Sequence, residues 1–358
     1  TPPTVMQSTA IWSKIGLLSF GGPTAQIALM HRLIVAERRW LSEAQFLNAL
    51  SFCMFLPGPE AMQLATYVGW RTHGILGGIV AGLLFVLPGA LIMLCLGIAY
   101  VYFGTFGIAG ALFLGVKAAI VVIVLQALFR LAGKALQRPH QWVIAIIGFC
   151  GIFILALPFP LIIAMAAICG FANNRHLQAT TKLPPLPNGK DTAKTFLIWV
   201  GIWWGPLLAI DLFADVPVLA EIGYFFSKLA VVTFGGAYAV LAYMAQDVVA
   251  QLGWLQPAEM MDGLGLAETT PGPLILVTEF VGFLAAFKTA GIVHGVAGAA
   301  IALWATFIPC FLWIFAGAPY LDWLTCQPRL QGALASIMAV VVGVIANLFA
   351  WFALHLFF

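Results

Sequence analysis

Long apolar runs, broken by short polar punctuation, make up most of the chain. Stretches at about 75–103 and 106–129, and again at about 291–316 and 330–356, each exceed the roughly 20 residues that a helix needs to cross a bilayer. Shorter segments precede the first pair, at about 8–20, 24–37, 42–56 and 60–71. At about 1.5 Å per residue these cannot cross a hydrocarbon core about 30 Å thick. They predict half-helices that enter the membrane region and turn back. Three further apolar segments, about 142–157, 158–171 and 195–213, lie between the two sets. One long polar stretch, residues 173–194, predicts an exposed interdomain loop rich in Pro, Asn and Lys. The alternating short strands of a β-barrel are absent.

The punctuation repeats. "LPGPE" at 56–60 returns as "TPGPL" at 270–274, and Pro271 lies 214 residues after Pro57. The same offset carries "SFGGP" (19–23) onto "TFGGA" (233–237), Ser13-Lys14 onto Ser227-Lys228, Trp40-Leu41 onto Trp254-Leu255, and Asn48 onto Asp262. After the PGP the halves drift by one residue, so "YVG" at 67–69 meets "FVG" at 280–282. The chain therefore divides into two homologous halves, 1–138 and 217–358, joined by connecting spans at 139–216.

Composition then fixes the class. The chain is 63% hydrophobic and 8% charged, against about 25% charged in soluble proteins. So little charge cannot cover a water-facing surface, and the expected fold is an all-α polytopic membrane protein. Cations gather at His31, Arg32, Arg38, Arg39, Arg71, Arg130, Lys134 and Arg138, and in the linker. With re-entrant hairpins all of these fall on one side, which the positive-inside rule makes cytoplasmic. The corresponding part of the second half carries Asp247, Glu259 and Asp262, and Leu252-Gly253 stand where the first half has Arg38-Arg39. An odd number of connecting spans flips the second half. Two inverted, antiparallel repeats are expected, their half-helices meeting at a central site. The six cysteines (Cys53, Cys95, Cys150, Cys169, Cys310 and Cys326) are scattered and read as packing residues, with no metal site. The first apolar stretch lacks the cleavage pattern of a secretory signal. HExxH, GxSxG and Walker patterns are absent, so neither an enzyme nor a cofactor is expected.

Inverted repeats with interrupted helices point to a transporter whose substrate sits near the midplane. Each break exposes backbone N–H groups at a helix start, where partial positive charge favours an anion. Glycine allows close backbone approach, and proline in a first turn forfeits no hydrogen bond. The candidate anion-binding residues are thus Gly21, Gly22, Gly58, Gly235, Gly236 and Gly272, with the hydroxyls of Ser19 and Thr233 beside them. Lys14 and Lys228, repeat mates in apolar helices, supply candidate positive charge from the interior. Glu60 and Glu268 flank the two PGP turns and read either as a coupling or gating carboxylate or as interface residues; Glu60 is also a candidate site residue. Glu279 falls at or near the position of Thr66. Gln26, Gln63, Asn347 and Tyr238 read as interhelical hydrogen-bonding groups, and the Gly78/Gly82 and Gly291/Gly295 spacings as packing.

The segments "FGGPTAQIALMHRLIVAERRWL", "PGPEAMQLATYVGW" and "FGGAYAVLAYM…GWL…TTPGPLILVTEFVGF" resemble the chromate ion transporter family in its long, two-domain form, over nearly the whole chain. The resemblance implies a secondary transporter of the bacterial inner membrane that exports chromate and confers chromate resistance, built from antiparallel duplicates. Some relatives are linked to sulfate, a dianion of the same shape. A sulfate or other oxyanion carrier, and an anion channel, stay open as alternatives. The expected partners are the transported anion and the lipid bilayer, with no nucleic acid; a homodimer is allowed by the sequence and not required by it.

Overall fold

The computed structural model describes residues 3–103, 107–155, 157–173, 189–234, 237–325 and 327–357. Gly235, Gly236, Cys326, the side chain of Tyr238 and residues 174–188 of the polar linker lie outside the described residues. What is described is helical, with no strand among the described residues. Among the described residues five helices are long and apolar enough to cross a membrane: Glu60–Phe103, Lys117–Ala135, Gly189–Phe213, Ile292–Tyr320 and Pro328–Leu354. The chain is a multi-pass membrane protein.

The first half opens with α1 (Val5–Leu18), whose Thr4 accepts from the backbone of Gln7 while the Gln7 side chain reaches back, a reciprocal cap. Helix α2 (Gly22–Met30) continues through a π-helical stretch, His31–Glu37. Helix α3 (Glu43–Phe55) starts on the same kind of cap, Ser42 with Gln45. Helix α4 (Glu60–Phe103) is continuous in name only, because His73 and Gly74 leave helical geometry, Gly74 at φ 66°. The short arm before this break and the long arm after it are the expected 60–71 and 75–103. The arms fold against each other where Gly69 meets Gly77. Helix α5 (Gly107–Ala135) runs beyond the expected end at 129, and Arg130 and Lys134 are therefore helical.

The connecting helices are α6 (Pro139–Phe153), α7 (Phe159–Asn173) and α8 (Gly189–Phe213). Over the described residues α6 and α7 have 15 residues each, about 22 Å, less than a full crossing; both lie along the last helix. Counting three full connecting spans is thus not supported by helix length.

The second half has the same order of parts: α9 (Pro217–Val232), α10 (Ala237–Gln246) with a π stretch Asp247–Gln251, α11 (Pro257–Thr269), α12 (Val277–Ala290), α13 (Ile292–Gly317), a short α14 (Leu321–Thr325) and α15 (Pro328–Phe357). Local structure recurs in detail. Trp40 N donates to Ile34 O at 2.9 Å, and Trp254 N to Val248 O at 3.0 Å. Past the PGP the match changes length. Gly282 meets Gly298 as Gly69 meets Gly77, so the offset grows from 213 to 221. The α12–α13 hairpin is longer by that difference, about two helical turns. Pro88 in α4 and Pro309 in α13 share the offset of 221. Gly291, read from the sequence as a packing glycine, sits instead at the hairpin turn, at φ 80° with open space around its Cα.

Helix α13 packs on α4, α8 and α9, and α15 on α5, α6 and α7. Small residues permit this closeness: a Cβ on Gly16 of α1 would stand 2.0 Å from the Leu84 carbonyl oxygen of α4.

Candidate functional site

Helix α1 stops because "FGG" follows it. Gly21 and Gly22 take φ 84° and 75°, a region that other residues reach only with strain. Pro23 then occupies the first turn of α2, and no side chain caps that helix. In the PGP turn Gly58 takes φ 121°, and α4 starts at Glu60. Gly272 of the second PGP takes φ 96°.

The two breaks are tied across the halves. Gly58 N donates to Thr233 O at 2.8 Å, and Gly272 N donates to Ser19 O at 2.8 Å. Each PGP turn thus hydrogen-bonds the end of the helix before the other half's FGG. Two buried amides brace the pair. Gln26 Nε2 donates to Gly272 O at 2.6 Å, and Gln63 Nε2 to Pro57 O at 2.7 Å. Oε1 of each amide has no donor among the described residues. Replacing Gln26 by Met removes the donor from a buried carbonyl and should cost about 1–3 kcal/mol. Thermal unfolding of the purified protein in detergent reads this as a lowered midpoint; an unchanged midpoint would mean that Gln26 braces nothing.

A cavity of about 140 Å³ reaches the first break from one side. Gly21, Gly22 and Thr24 at the start of α2, and Gly58 and Glu60 at the start of α4, form one wall. Helices α5 and α15 form the other, with Arg130, Leu131, Lys134 and Ile345. Arg130 and Lys134 are one helical turn apart on one face of α5. Neither forms an ion pair with a described residue within 4.0 Å.

The structure thus gathers Gly21, Gly22, Gly58 and Glu60 of the sequence-predicted site at one cavity. Ser19 and Thr233 are buried beside the breaks, but their hydroxyls donate to Ile15 O and Leu229 O within their own helices. What they offer across the halves is carbonyl oxygen. Gly272 lies in the second break against Leu276 and Gly89. Glu268 is half-buried near the end of α11 and does not line the cavity. Glu279 is 2% exposed, and its Oε2 has no partner among the described residues.

The two lysines do not meet the expectation that they face the interior. Helix α1 buries Trp12, Ile15 and Gly16, and Lys14 lies on the exposed side, away from the cavity. Helix α9 buries Ile222, Phe226, Leu229 and Ala230, which leaves Lys228 exposed, 5.5 Å over the ring of Tyr243. Arg130 and Lys134 were missed because the expected end of the helix at 129 made them loop charges. Their signal was the four-residue spacing, which puts both on one face once the helix continues.

The opposite side of the paired breaks is held differently. Helix α11 packs along α5, and Lys117 meets Asp262 Oδ1 at 3.2 Å. Tyr100 of α4 donates to Asp262 Oδ2 at 2.9 Å. Nearby, Lys288 pairs with Glu259 and donates to Trp254 O at 3.2 Å.

A family model described as chromate transporter matches residues 6–171 and 220–358. A probable chromate transport protein of Synechococcus elongatus is 32% identical over 344 residues, covering 96% of this chain and 83% of the relative. A chromate transport protein of Pseudomonas aeruginosa is 33% identical over 356 residues, 96% of this chain and 80% of the relative. A third, the chromate transport protein of Cupriavidus metallidurans, is 31% identical over 348 residues, 96% of this chain and 79% of the relative. No solved structure matches.

Proposed function

The chain belongs to the chromate transporter family, and we propose that it is a secondary transporter that exports chromate from the bacterial cytoplasm and so confers chromate resistance. The observation that carries this reading is the reciprocal pair of hydrogen bonds between the breaks, Gly58 N to Thr233 O and Gly272 N to Ser19 O. A substrate site shared by two repeats needs such a junction, with helix starts aimed at one place. The proposed arrangement is two inverted repeats, 1–138 and 217–358, in the inner membrane, with the basic positions of the first repeat on the cytoplasmic side. Arg130 and Lys134 then put the cavity on that side, where an exporter loads.

One observation favours a carrier over a channel. The cavity reaches the first break from one side, while on the other side α11 is tied to α4 and α5 through Asp262. A carrier occupies such one-sided states in turn.

Uptake of radiolabelled chromate into inside-out vesicles tests the reading. Accumulation above the external concentration is expected, with collapse of the membrane potential and of the pH gradient, applied separately, identifying the driving force. Uptake that only equilibrates would mean a channel. Sulfate accumulation without chromate accumulation would make the protein a sulfate carrier.

A further inference from the structure

We propose that Arg130 and Lys134, with the starts of α2 and α4, form the docking site that selects a dianion on the open side of the cavity. The inference rests on the oxyanion-transport reading and adds the residues that recognise charge. Two like charges one turn apart on a helix repel each other. Here they share a cavity whose walls include Met54, Leu56, Leu131, Met338 and Ile345. Apolar walls weaken screening and raise the cost of unbalanced charge. Among the described residues the one carboxylate lining the cavity is Glu60, near enough to feel the charge of Lys134. The formal charge of the lining side chains is therefore +1. The helix starts at Gly22 and Glu60 add about +0.5 each. That surplus of about two positive charges is neutralised by one dianion and left half unbalanced by a monoanion.

Glu60 has a defined part in this arrangement. It stands at the start of its own helix and within reach of Lys134's field. It holds the surplus at the value that one dianion neutralises. All four of the side chains Arg130, Lys134, Lys14 and Lys228 are exposed, but only Arg130 and Lys134 line the cavity, so they and not Lys14 and Lys228 are the cations of the site.

Chromate uptake into inside-out vesicles, with the KM measured for each variant, tests the proposal. Arg130→Gln and Lys134→Gln should each raise the chromate KM about tenfold, and the double variant about a hundredfold, with a smaller change in maximal rate. The charge-preserving variants Arg130→Lys and Lys134→Arg should stay within about threefold of the wild type, and serve as folding controls. Competition adds a readout that a structural role would not move. Sulfate and perchlorate are both tetrahedral, but sulfate is a dianion and perchlorate a monoanion. Losing either cation should weaken inhibition by sulfate more than inhibition by perchlorate. If wild-type vesicles accumulate chromate and the double variant keeps its KM within twofold, the pair does not dock substrate, although the transport reading stands. The same holds if both inhibitors weaken equally. If the wild type moves neither chromate nor sulfate, the transport reading fails and this inference with it.

Discussion

Gly89→Ala is expected to abolish chromate uptake and to reduce the yield of folded protein sharply. Gly89 lies in the long arm of α4 where it passes the second PGP turn. An added Cβ would stand 2.1 Å from the Pro271 carbonyl oxygen and 2.6 Å from Leu276 Cδ1. A side chain could swing away; a carbonyl fixed on both sides cannot. The next residue, Gly272, donates its N–H to Ser19 O and accepts from Gln26 Nε2. Moving Pro271 therefore strains both links between the breaks. Overpacking a core by a methylene commonly costs about 1–3 kcal/mol, and a contact with constrained backbone belongs above that range. Gly115→Ala is the control, since that helical glycine has no described residue within 4 Å of the added Cβ. It should leave uptake intact. Size-exclusion profiles of the detergent-solubilised variants, beside vesicle uptake, check both outcomes. Wild-type behaviour of Gly89→Ala would show that α4 can move away from the second break at little cost, and that the junction is not rigid.

Much of this junction was legible because the breaks use residues with no substitute. FGG and PGP are rare in apolar runs, and their recurrence at one offset located both turns. The start of α4 at Glu60 followed from the same rules, whereas the caps at Thr4 and Ser42 emerge only in the structure. Orientation of side chains around a helix was harder. Lys14 and Lys228 share a repeat position, and shared position was read as shared burial. In a membrane protein exposed apolar residues are ordinary, so periodicity does not tell the interior face from the lipid face. On α1 that interior face runs through Trp12, Ile15 and Gly16, and Lys14, two residues from both Trp12 and Gly16, falls on nearly the opposite side. The charges at the cavity were hidden by a helix end expected at 129, well over a turn before its actual end at Ala135. The longer α12–α13 hairpin was hidden because insertion of about two whole turns preserves the helical face and leaves no break in the pattern. The pair Lys117–Asp262 joins residues 145 positions apart, and no local signal marks it.

That pair is the second site where a large effect is expected: Lys117→Met should cost about 3–5 kcal/mol, the usual loss when one member of a buried ion pair is removed. The side chains are 19% and 6% exposed. Without Lys117, Asp262 keeps the hydroxyl of Tyr100 at 2.9 Å and loses its countercharge. The penalty comes from the stranded charge more than from the lost attraction, because two desolvated ions repay little more than their own dehydration. Removing both charges should therefore restore stability. Lys117→Met with Asp262→Leu is expected to unfold within about 1 kcal/mol of the wild type, while Asp262→Leu alone strands Lys117 near solvent and falls in between. A thermal double-mutant cycle in detergent measures this directly, as strong coupling between the two positions. Near-zero coupling would mean that water reaches the pair and that this side of the breaks is open. Strong coupling would mean a dry contact between α11 and α5, which has to part if the second side of the junction is ever to open. The apolar double variant then separates the two demands on the contact, since it keeps the dry packing while removing the charges that must be rehydrated each time α11 leaves α5.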